Sequence, residues 1–352
     1  MKIMALSRYG TLAASSRLRT YQYVDKFSAF DIEFYVEPLF DNNYVTTIYA
    51  NDARRWIIFS SFFRRVKALL SARKFDAIWI EKEMLPWLPA FVELSLFPSG
   101  LPMIVDLDDA VFHRYDGHRS HAVRAILGRK LDRLMRRADL VVAGNDYLAE
   151  RAREAGASRV ETVPTVVDLK RYMIGPKLDS KDITIGWIGS PSTAHYLDII
   201  KPVLDELSLK IPLRAIAIGA RQDQLSGSIF VARPWTEDTE VQEIAQFDIG
   251  VMPLLDNPWE RGKCGYKIIQ YMASGVPVVA SPVGVNKKIV REANGFLASS
   301  KSDWLLALRQ LVTDRRLRLS MGSFGRADVE RRYTLDVQAP RLASFIKAVV
   351  QK

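Results

Sequence analysis

Short, near-continuous runs of Val, Ile and Leu recur along this chain, and they narrow its fold more than any other feature. Lys2–Leu6, Ile32–Val36, Ala77–Ile80, Met103–Asp106 and Leu140–Ala143 form one series. Ile183–Ile188, Leu213–Ile218, Ile229–Ala232, Asp248–Met252 and Val276–Ala280 form a second. Most do not alternate with polar residues, which suits strands covered on both faces of a parallel sheet. The intervening stretches carry helical spacing; Phe59, Phe62, Phe63, Val66, Leu69 and Leu70, flanked by Arg64, Arg65 and Lys67, predict one amphipathic helix. Strand–helix alternation in two blocks predicts an α/β chain of two doubly wound domains. At 352 residues the length accommodates both. The join is expected in Met173–Asp182, which has Gly, Pro and charges but no periodicity, giving domains 1–174 and 175–334.

A single cysteine, Cys264, excludes intrachain disulfides and a four-cysteine zinc site, and the four histidines match no zinc spacing. The net charge of +10 favours an anionic partner, whether a phosphorylated small molecule, an acidic membrane surface or nucleic acid. No recognition-helix or RNA-binding aromatic motif appears, so nucleic acid is not expected. The apolar stretch Leu85–Val105 contains Glu93 and four prolines, so it predicts no spanning helix, and no targeting segment is evident. The expected location is cytoplasmic, with basic stretches at Arg54–Lys74 and Arg119–Arg137, and aromatics at Trp56 and Phe62, able to rest on the inner face of an anionic membrane. Solvated helix faces over an ordinary core are the alternative.

In open α/β sheets ligands sit beyond the carboxyl ends of strands, so the loops there hold the candidate chemistry. After the first strand, Gly10, Ser15, Ser16, Arg17 and Arg19 combine small residues with cations that could hold an anion, or form an ordinary strand–helix turn. After the fourth, Asp106, Asp108 and Asp109 place three carboxylates within four residues, suited to sugar hydroxyls, a cationic transition state or a divalent metal, or to capping the next helix. Gly189, Ser190, Ser192 and Thr193 offer glycine, hydroxyls and backbone N–H groups as a phosphate cradle, and Arg233 with Trp235 could stack on a base. Arg261, Lys263 and Lys267 flank Gly262 and Gly265 just before a helix, where dipole, free N–H groups and formal charge add up for an anion.

Ala273-Ser-Gly-Val-Pro-Val-Val-Ala280, Asp248-Ile-Gly-Val-Met-Pro-Leu-Leu255 and Asn294-Gly-Phe296 resemble motifs of the retaining glycosyltransferases of the GT-B fold, family 4. Ser15-Ser16-Arg17 and Asp106-Leu-Asp-Asp109 resemble the bacterial polysaccharide branch. The resemblance implies two Rossmann-like domains facing a cleft, with a C-terminal crossover helix in 335–352 returning to the first domain. It implies a nucleotide sugar in the second domain, held by Gly189, Ser190, Ser192, Thr193, Arg233, Trp235, Arg261, Gly265, Tyr266 and Gln270. A saccharide or lipid-linked acceptor would lie in the first, at Gly10, Ser15, Ser16, Arg17 and Arg19. Asp108, Asp109, Lys263 and Lys267 would serve catalysis, with no metal and no cofactor beyond the donor substrate. The family places two glutamates eight positions apart at the donor helix, and here those positions are Gly262 and Gln270. That departure keeps two other readings open: a non-catalytic GT-B subunit that binds nucleotide sugar, and a GT-B epimerase or hydrolase.

Overall fold

The computed structural model describes residues 1–49, 55–173 and 182–351. Residues 174–181, where the expected join between domains falls, lie outside the described residues, as does Arg54. The chain divides into two compact units. One comprises Met1–Thr165, Gly262–Cys264 and Asp336–Lys352; the other comprises Val166–Arg261 and Gly265–Leu335.

The first unit is built on six parallel strands: β1 (Lys2–Leu6), β2 (Glu33–Val36), β3 (Ala77–Glu81), β4 (Met103–Leu107), β5 (Leu140–Ala143) and β6 (Val160–Thr162). Their order is β2-β1-β3-β4-β5-β6. Every residue of β3, β4 and β5 is buried, as expected of strands with helices on both faces. From β1 the chain moves to β2 on one side and then to β3 on the other, so a topological switch point opens between β1 and β3. Register pairs Glu81 with Asp106, which sets two buried carboxylates side by side at the ends of β3 and β4.

The second unit has β7 (Ile183–Ile188), β8 (Leu213–Ile218), β9 (Phe230–Arg233), β10 (Ile249–Met252), β11 (Val278–Ala280) and β12 (Gly295–Leu297). The sheet reads β12-β11-β10-β7-β8-β9, all parallel, with its switch point between β7 and β10. The α/β, doubly wound expectation therefore holds for both units. All ten expected runs are strands, some shifted by one or two residues. β6 and β12 were not legible: each has three residues, and neither carries a continuous buried apolar run.

Two expectations need correction. The helix Arg55–Leu70 forms, with Phe62, Val66 and Leu69 toward the core as the spacing predicts, but Phe59, Phe63 and Leu70 lie off that face. Leu69 is buried, whereas Trp56, Phe59, Phe63 and Leu70 are 71–77% exposed. The inward turns are taken by Ser61 and Arg65, whose guanidinium donates to the carbonyls of Ser7 (2.6 Å) and Glu37 (3.0 Å). Glu37 O, just past β2, takes its donor from this guanidinium, which a phenyl ring could not replace, while Ser7 O, just past β1, also accepts from the Leu39 N–H (2.9 Å). Phe62, also expected to reach a membrane surface, is half-buried against the core. Likewise Lys130 is not part of the basic face of Arg119–Arg137. It is buried, with its ammonium on Leu85 O (2.7 Å), Glu83 (2.7 Å) and Glu93 (2.6 Å).

Candidate active site

The switch point of the first unit gathers a dense polar cluster. Glu81, at the carboxyl end of β3, is fully buried. Its Oε2 accepts from Ser16 Oγ (2.7 Å) and from the Arg8 N–H (3.0 Å). Ser15 Oγ accepts from Lys82 Nζ (2.7 Å) and has one proton to give, with Asp108 Oδ2 at 2.5 Å and Glu81 Oε1 at 3.1 Å in reach. Lys82 Nζ also lies 2.9 Å from Asp108 Oδ1. Lys82 has φ of +67°, a left-handed conformation that long side chains rarely adopt. Such strain persists where the surroundings over-determine it, and it concentrates at functional sites.

These contacts set the protonation of the aspartates. Burial raises the Asp108 pKa, but the Lys82 ammonium and the Ser15 hydroxyl together outweigh it and hold the group below the usual carboxylate range. Asp109 is raised instead; burial dominates, and Lys263 and Lys82 only partly offset it. Neighbouring aspartates are thus pushed apart, which equips one to stay ionised and the other to exchange a proton nearer neutrality. Lys263 is presented by Gly262–Cys264, which packs among residues of the first unit. Asn145 Nδ2 donates to Gly262 O (2.8 Å) and Lys263 O (3.0 Å), while the Cys264 thiol donates to Asp108 O (3.1 Å). Glycines make that approach feasible: a Cβ on Gly144 would lie 2.3 Å from Cys264 Sγ, and one on Gly262 would lie 2.4 Å from the Ala110 Cβ.

Of the residues expected to bind acceptor, Gly10 lies in the loop after β1, and Ser15 and Ser16 lie in the short helix Ala14–Arg19 that reaches this cluster. Asn42 closes over Gly10, where any Cβ would collide with its amide, and accepts from the Leu12 N–H (3.1 Å). Arg19 departs from expectation. It is 2% exposed and grips Asp106 through two hydrogen bonds (3.0 and 2.5 Å) while donating to Val163 O (2.9 Å). Burial works against its charge, yet Asp106 holds it protonated. Arg19 thereby neutralises the carboxylate buried beside Glu81. Arg17 is also buried, with Nη1 on Thr11 O (3.3 Å). The sequence reading missed Glu81, Lys82, Glu83 and Arg8. The available signal was Glu-Lys-Glu directly after the buried run Ala77–Ile80, charges at a strand end where ligands gather.

In the second unit the loop after β7 is organised by its own hydroxyls, with Thr193 Oγ1 accepting from the Ser190 N–H (3.2 Å) and Ser190 Oγ lying 2.8 Å from Ser192 Oγ. Gly189 is required there, because a Cβ would lie 2.3 Å from the buried Trp187 ring. Lys267 Nζ sits over that same ring, 5.9 Å from its centroid, so the structure brings Lys267 to the Gly189 loop. Gly265, with φ of +67°, starts the helix Tyr266–Ala273. Other expected donor contacts are engaged elsewhere. Arg233 is paired with Glu243 and bonded to Gln246 (3.1 Å), Arg261 with Asp256 (2.7 Å), and Trp235 Nε1 donates to Glu240 (2.9 Å). Gln270 is buried and donates to Tyr172 Oη (3.1 Å). Among the described residues no group of three or more His, Cys, Asp or Glu is placed to hold a metal ion, and no helix is long and apolar enough to cross a membrane.

Two parallel six-stranded sheets, each with polar or glycine-rich loops at its switch point, give the α/β architecture of the GT-B fold. Residues 195–314 match the family described as glycosyl transferases group 1. TuaH of Bacillus subtilis (strain 168), named as a teichuronic acid biosynthesis glycosyltransferase, is 25% identical over 222 residues, covering 57% of this chain and 55% of its own. The chain thus spans about half the length of that relative. Among solved structures, Anabaena HepE in complex with UDP and glucose has a TM-score of 0.74 at 17% identity, covering 99% of this chain and 100% of its own. Sucrose-phosphate synthase from Thermosynechococcus elongatus has a TM-score of 0.75 at 14% identity, covering 100% and 99%. Both likenesses are of fold.

Proposed function

We propose that this protein is a retaining glycosyltransferase that moves a sugar from a nucleoside-diphosphate donor to a saccharide or lipid-linked acceptor in cell-surface polysaccharide assembly. The observation that carries the reading is the Ser15–Lys82–Asp108 cluster with Asp109 and Lys263 beside it, at the switch point of an α/β unit. The name of TuaH, and the UDP and glucose held by HepE, support the same class of donor and product. The acceptor hydroxyl is oriented by Asp108 and Asp109, and it attacks the anomeric carbon from the side the diphosphate leaves. The new C–O bond forms as the bond to the phosphate oxygen breaks, and the departing diphosphate takes the hydroxyl proton. Lys263 and Lys267 supply the positive charge that the leaving group needs, so the reading calls for no resident metal. Basic surface residues of Arg119–Arg137 other than Lys130, and the exposed face of the helix Arg55–Leu70, would rest on an anionic membrane surface.

The test is a panel of nucleoside diphosphates and their sugars read by thermal shift, followed by product analysis of the anomer formed. One nucleotide should stabilise the chain by about 2.7 kcal/mol at one hundred times its dissociation constant. Transfer with retention supports the reading; release of free sugar alone replaces it with a hydrolase, and binding without turnover with a non-catalytic subunit. Lys263→Met should abolish most transfer with the fold intact. It should also move the acid limb of the residual activity to higher pH, because Lys263 is one of the charges that lower Asp109. An acid limb that stays in place would separate Lys263 from Asp109.

A further inference from the structure

An aromatic groove of about 450 Å³ runs beside the polar cluster in the first unit, lined by Arg8, Tyr9, Phe40, Phe59, Phe62 and Trp87 among others. That volume falls in the range of roughly 300–1,000 Å³ usual for small-molecule sites. Its walls are apolar rings in mutual contact: Tyr9 packs on Phe40 at 5.8 Å, and Phe40 stacks on Tyr44 at 4.2 Å. Trp87 holds its place at a backbone cost, with φ of +67°, a conformation that strains a bulky residue. Its N–H is tied to Tyr115 Oη (3.1 Å), and its ring packs edge-on against Tyr115 (5.3 Å).

The two ends of the groove differ. At one end, Arg8 and Tyr9 are fastened to the polar cluster: the Arg8 N–H donates to Glu81, which also accepts from Ser16 Oγ, and the Tyr9 N–H donates to that same Oγ (3.0 Å). At the other end Phe59 is 72% exposed and lies on one helical stripe with Trp56, Phe63, Lys67 and Leu70. An apolar channel that leads from a cluster of hydrogen-bonding groups to an exposed aromatic and basic stripe has the polarity of an amphiphile. Resting on the glycosyltransferase reading above, we infer that the groove takes the hydrocarbon chain of a lipid phosphate-linked acceptor, whose polar head then meets Ser15, Lys82 and Asp108. The exposed stripe and its lysine face the anionic surface from which such a lipid is drawn.

The experiment titrates the full chain with octyl, decyl and dodecyl phosphate below their micelle concentrations, following tryptophan fluorescence, with nucleoside-diphosphate binding measured on the same samples. Each methylene buried should raise affinity about fourfold, so successive members, two methylenes apart, should be separated by about fifteenfold. Phe59→Asp places a carboxylate at the mouth from an exposed position and should flatten the series; Leu88→Glu should do the same from another part of the wall. Leu306→Asp, an exposed leucine on the helix Lys301–Thr313 of the second unit, should leave it unchanged. An affinity independent of chain length, or the same slope in Phe59→Asp as in the parent, overturns the inference. A flat series with nucleotide binding intact removes the groove alone, and a steep series without nucleotide binding removes the donor reading alone.

Discussion

Gly262 stands where the resemblance places a sugar-contacting glutamate, and replacing it by alanine tests why. A Cβ at that position would lie 2.4 Å from the Ala110 Cβ, 2.7 Å from its N and 3.0 Å from its Cα. Carbon atoms in ordinary contact sit about 3.5–4.0 Å apart, so something must yield by about 1 Å, and two of the three atoms are backbone. Overpacking of this kind costs about 1–3 kcal/mol. At about 2–4 °C per kcal/mol for a unit of this size, Gly262→Ala should lower Tm by about 2–12 °C in a thermal denaturation scan. Gly262→Glu should be at least as damaging and should not improve transfer, since the side chain has no room where the backbone now lies. Combining Gly262→Ala with Ala110→Gly removes the nearest of the three contacts, and the double-mutant cycle should return a favourable coupling of about 0.5–2 kcal/mol. An unchanged Tm for Gly262→Ala, or zero coupling, would refute the claim that close backbone approach excludes a side chain here.

Three further outcomes follow from the same geometry. Lys82→Met removes the ammonium 2.9 Å from Asp108 and should cost about 3 kcal/mol, with the Asp108 titration moving upward in the pH profile of activity; a profile that does not move would separate the two groups. Lys130→Met leaves Glu83 and Glu93 without their shared buried cation and should cost about 3–5 kcal/mol by thermal denaturation, whereas a surface lysine would cost almost nothing. Burial pushes the Cys264 thiol up to about 12, so it should resist iodoacetamide at mildly alkaline pH in the folded chain and react on unfolding; rapid labelling of the native protein would contradict its placement.

Much of the architecture was legible because its signals are local. A parallel strand covered on both faces must be apolar throughout, so runs such as Ile78–Ile80 and Leu140–Ala143 announce themselves. Three-residue strands such as Val160–Thr162 and Gly295–Leu297 are too short to do so. Asp108, Asp109 and Ser15 could be singled out because each follows a strand, and position after a strand is a sequence property.

What the chain by itself determines is therefore the alternation of elements, the two α/β blocks and the loops in which chemistry can sit. Which polar groups are used up inside the protein, and which remain for a ligand, is decided only by the tertiary structure. Arg19 reads as an anion-binding residue, but strand register sets Asp106 beside Glu81, and a buried carboxylate there requires a buried cation. Arg65 takes an inward place on its helix, donating to carbonyls just past β1 and β2, while the phenyl rings of Phe59 and Phe63 lie outward. Pairing of this kind joins residues about 30 to 90 positions apart, as Arg65 with Glu37 and Arg19 with Asp106 do, and no spacing rule reaches across such separations.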